Sequence, residues 1–231
     1  MICNICGFDE FADVNGRVNA KCKNCGSLER ARLFWLYVEK YDIDENTKIL
    51  HIAPEKGIYN RIKSKIGSNY TVVDYSPDNF KFAPDCKHID LTDLDLWPSD
   101  HYDYIFHMHV MEHVPCNISY TLFHLHRMLK KSGVHLCIIP FMGGKFDETF
   151  QDVGGDERTR RFGQSDHVRR FGRDDIAMHL GKIISLPKRF DATLEFSEQT
   201  LKDANIPETH WRGWHIGTVL NLKRDDYKLS F

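Results

Sequence analysis

No stretch of the 231-residue chain approaches the roughly 20 consecutive apolar residues that span a bilayer. The opening residues, Met1-Ile2-Cys3-Asn4, lack the basic and apolar regions of a secretory leader. Neither sign of charge is in excess. Lys and Arg total 31 against 33 Asp and Glu, a formal net charge of -2. A protein that coats nucleic acid needs a basic surplus to neutralise phosphate, so that class is disfavoured, although a local basic patch stays open. Low-complexity tracts and a Gly/Pro/Ser linker are also missing. These absences predict a cytoplasmic protein with no membrane partner. A hydrophobic share of 42% is enough for a sizeable core and excludes whole-chain disorder.

Cysteine is present but not in a disulfide pattern. Four of the seven fall in the first 25 residues, as Cys3-x2-Cys6 and Cys22-x2-Cys25. Two Cys three positions apart on a tight turn can aim both sulfurs at one ion about 2.3 Å away. Gly7 and Gly26 follow each pair, so the two turns are near copies. With no secretion signal, this spacing predicts a structural Zn²⁺ on Cys3, Cys6, Cys22 and Cys25 rather than two disulfides. Residues 1–26 carry Arg17, Lys21 and Lys23 against Asp9, Glu10 and Asp13, and four thiolates on one Zn²⁺ add net negative charge. Such a module is a poor phosphate binder. The expected division is a zinc ribbon over 1–27 and a second domain over 28–231.

Ser27 is placed to cap a helix reaching about Tyr41, with Leu28, Ala31, Trp35 and Val38 on its apolar face. Short apolar runs then alternate with helical stretches. Lys48–Ala53, Tyr70–Tyr75, Tyr102–His107, Val134–Phe141, Ile184–Pro187 and His215–Lys223 read as strands; Lys56–Ile66 and Ser119–Lys131 read as helices. This alternation predicts an α/β fold with a mostly parallel sheet and helices on both faces. Ligands of such sheets sit beyond the carboxyl ends of the strands.

The loops at that end carry a family likeness. His51-Ile52-Ala53-Pro54-Glu55-Lys56-Gly57 resembles the first motif of class I S-adenosylmethionine-dependent methyltransferases, of the type 11-like kind. His51 stands where an acidic residue is usual, Ala53 and Glu55 occupy the first two glycine positions, and Gly57 keeps the third. Asp74 and Tyr75 end the second strand, His88-Ile89-Asp90-Leu91 follows, and Tyr102–Val114 resembles the fourth strand with its Glu-His-Val. The resemblance covers about residues 47–141. A narrower likeness, to a bacterial subgroup of zinc-containing methyltransferases, spans Cys22–Arg30, His51–Glu55 and Gly163–Arg169. It implies a Rossmann-like sheet of seven strands, S-adenosyl-L-methionine as cofactor, and Asp74 on the ribose. The implied cofactor set is His51, Ala53, Glu55, Gly57, Asp74, Tyr75, Asp90, Leu91, His107 and His109. Glu55 is either a solvated charge or the partner of the cofactor's ammonium. Glu112 and His113 are either a helix-start charge and a buried His, or His113 lies beside the transferred methyl.

Met142–Arg173 follows the fifth predicted strand. It holds six glycines, and its six arginines fall within sixteen residues (158–173). Its place in the fold and its glycines suggest a lid over residues 142–173; its arginine forks suit an anion, unless Asp156, Glu157, Asp166, Asp174 and Asp175 merely balance them. Asp166-His167 is the candidate acid–base pair of this insert, with Asp166 either orienting His167 or facing Arg169. Arg169, Arg170 and Phe141 are the candidate acceptor contacts. The expected acceptor is a small anionic or sugar-like molecule methylated on O or N. A macromolecular acceptor docked by the ribbon, or cofactor binding without turnover, are the alternatives. No Asn-Pro-Pro-Tyr/Phe motif follows the fourth strand, as amino-group nucleic-acid methylases would require.

Overall fold

The computed structural model describes residues 1–229. An N-terminal hairpin, β1 (Phe11–Val14) and β2 (Arg17–Cys22), leads into α1 (Glu29–Val38). The main sheet then builds up through β3 (Ile49–Ile52), α2 (Lys56–Ile66), β4 (Tyr70–Asp74), β5 (Lys87–His88), β6 (Tyr102–Met108), α3 (Ile118–Met128) and β7 (Leu129–Ile138). The insert contributes β8 (Phe141–Met142), β9 (Asp147–Glu148), α4 (Gly155–Phe162) and β10 (Arg169–Gly172). Two short helices, α5 (Leu180–Ile183) and α6 (Glu198–Asp203), precede β11 (Val219–Lys223).

The main sheet runs β11-β7-β6-β3-β4-β5, parallel throughout except for the antiparallel edge strand β11. It has six strands, not the seven implied by the family likeness. The predicted strand at Ile184–Pro187 reduces to a single bridge between Ile184 and Tyr227, so no further ladder forms. The predicted His215–Lys223 strand shortens to β11.

Period-two alternation sorts the strand residues into two cores. Ile49, Phe106, Met108, Leu136, Ile138 and Val219 face α1 and α2, where they meet Phe34, Val38, Ile58 and Ile62. Leu50, Ile52, Ile105, Cys137 and Leu220 face α3 through Leu122, Leu125 and Met128. Cys3, Ile5 and Cys22 of the N-terminal hairpin pack into the first of these cores. Arg32 of α1 is fully buried there and donates to the carbonyls of Ala20, Ser27, Ala204 and Asn205, joining the hairpin to the segment after α6.

Local expectations shift where tertiary contacts win. Ser27 does not cap α1; its hydroxyl lies 3.2 Å from the sulfurs of both Cys3 and Cys25. α3 is capped by Asn117, which accepts from the Ser119 amide at 2.9 Å. Among the described residues no helix is long and apolar enough to cross a membrane.

The two central strands both end in a residue that glycine would adopt more easily. Ala53 after β3 has φ 52° and His109 after β6 has φ 55°. Left-handed backbone costs an L-residue about 1–2 kcal/mol. Ala53→Gly should therefore raise stability by up to about 1 kcal/mol, and Ala53→Val should lower it, since a β-branched residue is a strong outlier in this region. Paired thermal melts check both signs.

Buried imidazoles set a second expectation. Burial depresses His107 well below the ordinary histidine value, His135 to about 3, and His210 and His215 to about 4. Above the unfolded value of about 6.5 these rings are neutral in both states and contribute no pH dependence. As pH falls below it, the unfolded chain takes up protons that the folded chain refuses. Stability should therefore decline from about pH 6.5 towards 4. Denaturant unfolding at a series of pH values reads this directly; a flat profile over that window would overturn it.

Candidate functional site

A cavity of about 650 Å³ opens at the carboxyl ends of β3, β4 and β6. That size suits a cofactor-sized ligand. Its floor is Ile52 and the left-handed Ala53. One wall is Asp74, Tyr75, Ser76, Asn79 and Phe80, from the end of β4 and the turn after it. Ile89, Asp90, Leu91 and Thr92 form a second wall, and His109, Val110, His113, Val114 and Pro115 a third. Asp166 of the insert closes the mouth.

Asp74 and Asp90 each divide their capacity. Asp74 Oδ1 accepts from the Ser76 amide at 2.7 Å, which fixes the turn. Asp90 Oδ1 likewise accepts from the Thr92 amide at 2.8 Å and the Thr92 hydroxyl at 2.7 Å. Each carboxylate keeps acceptor capacity on Oδ2 for a ligand hydroxyl. Ile89, Leu91, Phe80, Val110 and Val114 offer an apolar slot beside them.

Of the predicted cofactor residues, Ala53, Asp74, Tyr75, Asp90, Leu91 and His109 line this cavity and four do not. His51 points into the core beneath α2, with Nδ1 2.5 Å from the Tyr70 hydroxyl. Strand alternation dictates this, because His51 shares the face of Ile49 and not that of Ile52. His107 is fully buried on the opposite face, its ring 4.9 Å from that of His135. Gly57 lies in the first turn of α2, against the cysteine turns. A Cβ there would sit 3.1 Å from Cys25 Cβ and 3.2 Å from Ile5. This glycine serves the approach of α2 to the hairpin. Glu55 lies 3.4 Å from His51 Nε2, with Oε2 buried and without a hydrogen bond.

The insert is a built element, not an open glycine loop. β10 lies between β8 and β9 in a three-stranded sheet. Gly172 lets these segments meet: a Cβ there would lie 2.3 Å from the Gly144 carbonyl oxygen. Most of its arginines are engaged inside it. Arg161 forks onto Asp147 at 2.9 and 2.6 Å, Arg160 pairs with Glu157, and Arg158 donates to the carbonyls of His167 and Gln151. Arg169 is fully buried; it bonds Glu148 at 2.7 Å and donates to the carbonyls of Met111 and Cys116. It has no free fork for an acceptor, which corrects the expectation drawn from its sequence context. Arg170 donates to the Lys145 carbonyl and Phe141 packs edge-on to Trp214; neither lines the cavity.

The three predicted catalytic residues do converge. His113 Nδ1 is 3.3 Å from Asp166 Oδ2, and the His113 and His167 rings meet edge-to-face at 4.6 Å. His167 Nδ1 is 2.9 Å from the Phe162 carbonyl oxygen, which leaves Nε2 buried and without a hydrogen bond. Glu112, only 1% exposed, is in the turn before α3 and not at its start. Neither of its oxygens has a hydrogen bond; His109 Nδ1 is 3.2 Å away. Glu112, Glu55 and Glu29 all act to hold the charge on Arg30, against the burial that depresses it. Glu112 and Arg30 escape a sequence reading because a charged residue beside a turn is ordinarily solvated.

At the other end of the chain, the sulfurs of Cys3, Cys6, Cys22 and Cys25 all lie within 4.8 Å of one another. Cys3–Cys25 and Cys6–Cys22 are each 3.6 Å apart, far beyond a disulfide bond.

Comparison with known proteins agrees with this architecture. No curated protein matches the chain. Among solved structures, an S-adenosylmethionine-dependent methyltransferase from Mesorhizobium loti superposes with a TM-score of 0.51 at 14% identity, covering 82% of this chain and 95% of that one. A putative methyltransferase in complex with the Trm112 methyltransferase activator of Haloferax volcanii gives 0.50 at 15% identity, over 84% and 87% of the two chains. The YcgJ protein of Bacillus subtilis gives 0.50 at 14%, over 78% and 80%. At such identities these matches speak for the fold. Residues 4–182 match the family model described as a methyltransferase domain. With most of its length covered by that match, the chain belongs to the methyltransferase-domain family.

Proposed function

We propose that the protein is an S-adenosylmethionine-dependent methyltransferase acting on the O or N of a small molecule, with a structural zinc ion in its N-terminal hairpin. The observation that carries the reading is the cavity at the carboxyl ends of β3, β4 and β6, where a carboxylate and an apolar slot lie side by side. The free Oδ2 of Asp74 suits the ribose hydroxyls, and Leu91, Ile89 and Val114 suit the flat face of adenine. When bound, the cofactor supplies an electrophilic methyl for in-line displacement by an acceptor atom. The chain itself contributes orientation and exclusion of water. Ionising a hydroxyl acceptor is assigned to the group formed by His113 on the cavity wall, Asp166 at its mouth and His167 packed against His113.

Zinc is proposed on the sulfur geometry. Four ligands at about 2.3 Å from one ion lie roughly 3.8 Å apart, close to the 3.6 Å separations of the two pairs. The neighbouring Cys25 sulfur, against the effect of burial and together with the Ser27 hydroxyl, lowers the Cys3 thiol below its ordinary value. The buried Arg32 charge is favoured by the neighbouring Cys3, Cys22 and Cys25 sulfurs, and a tetrathiolate site would compensate it further.

Two measurements test the reading. Calorimetric titration with S-adenosylmethionine should show binding, and Asp74→Ala should weaken it by about 1–3 kcal/mol. Unchanged affinity would remove Asp74 from the site. Elemental analysis should find zinc on the hairpin of the purified protein. Cys22→Ser should lose that zinc and lower the melting temperature, because the hairpin holds few core residues of its own. A Cys22→Ser variant whose zinc content is undiminished would overturn the assignment.

A further inference from the structure

We infer that Glu112, His113 and His167 form a second metal site, distinct from the cysteine cluster, that holds a divalent transition ion at the acceptor side of the cavity. One ligand atom from each of the three residues lies within 4.8 Å of the others. Ligands at about 2.0–2.2 Å from one ion lie roughly 3.4 Å apart, so the three side chains would close in on a bound ion.

Each residue presents the form that a ligand needs. His167 has its Nδ1 against the Phe162 carbonyl, 2.9 Å away, which selects the tautomer with a lone pair on the buried Nε2. His113 has its Nδ1 against the Asp166 carboxylate, which leaves Nε2 to offer. A histidine ligand that donates its other nitrogen to a carbonyl or a carboxylate is the common outer shell of metal sites. Glu112 supplies the charge. A carboxylate 99% removed from solvent with both oxygens lacking a hydrogen bond is costly unless a cation completes it. His109 is its only ion-pair partner among the described residues, at 3.2 Å, and the Arg30 guanidinium attracts it at longer range without bonding to either oxygen.

The donor set, two imidazoles and one carboxylate, suits a divalent ion of the first transition row and leaves coordination positions open. Of the three, His113 lines the cavity, with Glu112 and His167 behind it, so His113 is the link between the proposed ion and the cavity. The ligand class that fits is an acceptor with two adjacent oxygens, such as a catechol or an α-hydroxy acid, chelated with one hydroxyl towards the methyl. That part rests on the methyltransferase reading. The chelated hydroxyl gives its proton to solvent at the cavity mouth, and its oxygen pair forms the new C–O bond as the S–C pair departs on sulfur. Asp166 then orients a ligand instead of carrying the proton.

The test uses the full chain loaded with one equivalent of Zn²⁺, which fills the cysteine site first because thiolates prefer it. Co²⁺ is then titrated and followed by visible absorption. One Co²⁺ per chain should bind, with d–d bands and no sulfur-to-metal charge transfer. Glu112→Gln and His167→Ala should each weaken binding at least tenfold, and Asp166→Asn, at an exposed position, by about tenfold. Cys22→Ser should retain the sulfur-free bands. Catechol or lactate should perturb those bands. No second-site cobalt, or binding unchanged in both Glu112→Gln and His167→Ala, would overturn the site; bands indifferent to either chelator would overturn the acceptor class. S-adenosylmethionine affinity, measured separately, reports on the methyltransferase reading, so the two can fail independently.

Discussion

A guanidinium buried in a protein core must find an acceptor for nearly every N–H, because none can be deprotonated away. Arg169 meets that demand with Glu148 and with the carbonyls of Met111 and Cys116. The bonds bracket the turn that carries Glu112, His113, Val114 and Pro115. The Val168 amide adds a bond to the Glu112 carbonyl at 2.9 Å. The insert therefore does more than bring Asp166 to the cavity. It clamps the turn that forms the third wall, and the chemistry of that wall depends on the clamp. An arginine that composition suggests as a substrate fork is instead the fastener of the site.

Arg32 plays the matching role at the far side. Its four carbonyl acceptors come from the hairpin, from the entry to α1 and from the segment after α6. The cysteine turns lean on the first turn of α2 at Gly57. The hairpin is thus tied to the same helix that begins at the cavity floor. An ion among the four sulfurs would stiffen α2 and the Ala53–Glu55 loop from behind, which gives a physical reason for a metal so far from the chemistry.

Much of the architecture is legible in the sequence because it rests on period and spacing. The apolar runs at Ile49–Ile52, Tyr70–Asp74 and Tyr102–Met108 are strands, and the two Cys-x2-Cys turns bring four sulfurs together. Asp74, Asp90 and His113 reach the cavity because each follows a strand or its loop at the carboxyl end. What fails is side-chain direction. His51 and His107 lie on strands whose alternation turns them into the two cores, a parity that motif matching ignores. Counting arginines fails for a related reason: charge in a sequence does not reveal whether the same chain supplies the counter-ions, and here Asp147, Glu148 and Glu157 do. Glu112 is the converse case, an unremarkable acid made consequential by burial alone.

Buried polar atoms without a hydrogen bond occur in several parts of the molecule, Asn4 Oδ1 in the N-terminal turns and His210 Nδ1 in the C-terminal third among them, and one group stands close to the site. His51 Nε2, Glu55 Oε2, His109 Nε2, both Glu112 oxygens and His167 Nε2 gather around the carboxyl ends of β3 and β6. The same strand ends hold Ala53 and His109 in left-handed backbone. Orphaned groups and strain each cost free energy, and both persist only where the surrounding packing over-determines them. Here the two apolar cores and the two buried arginines supply that packing. Of the residues holding those orphaned groups near the site, only His109 lines the cavity; the others stand behind its wall, so a ligand entering this end of the sheet meets an edge held rigid from within.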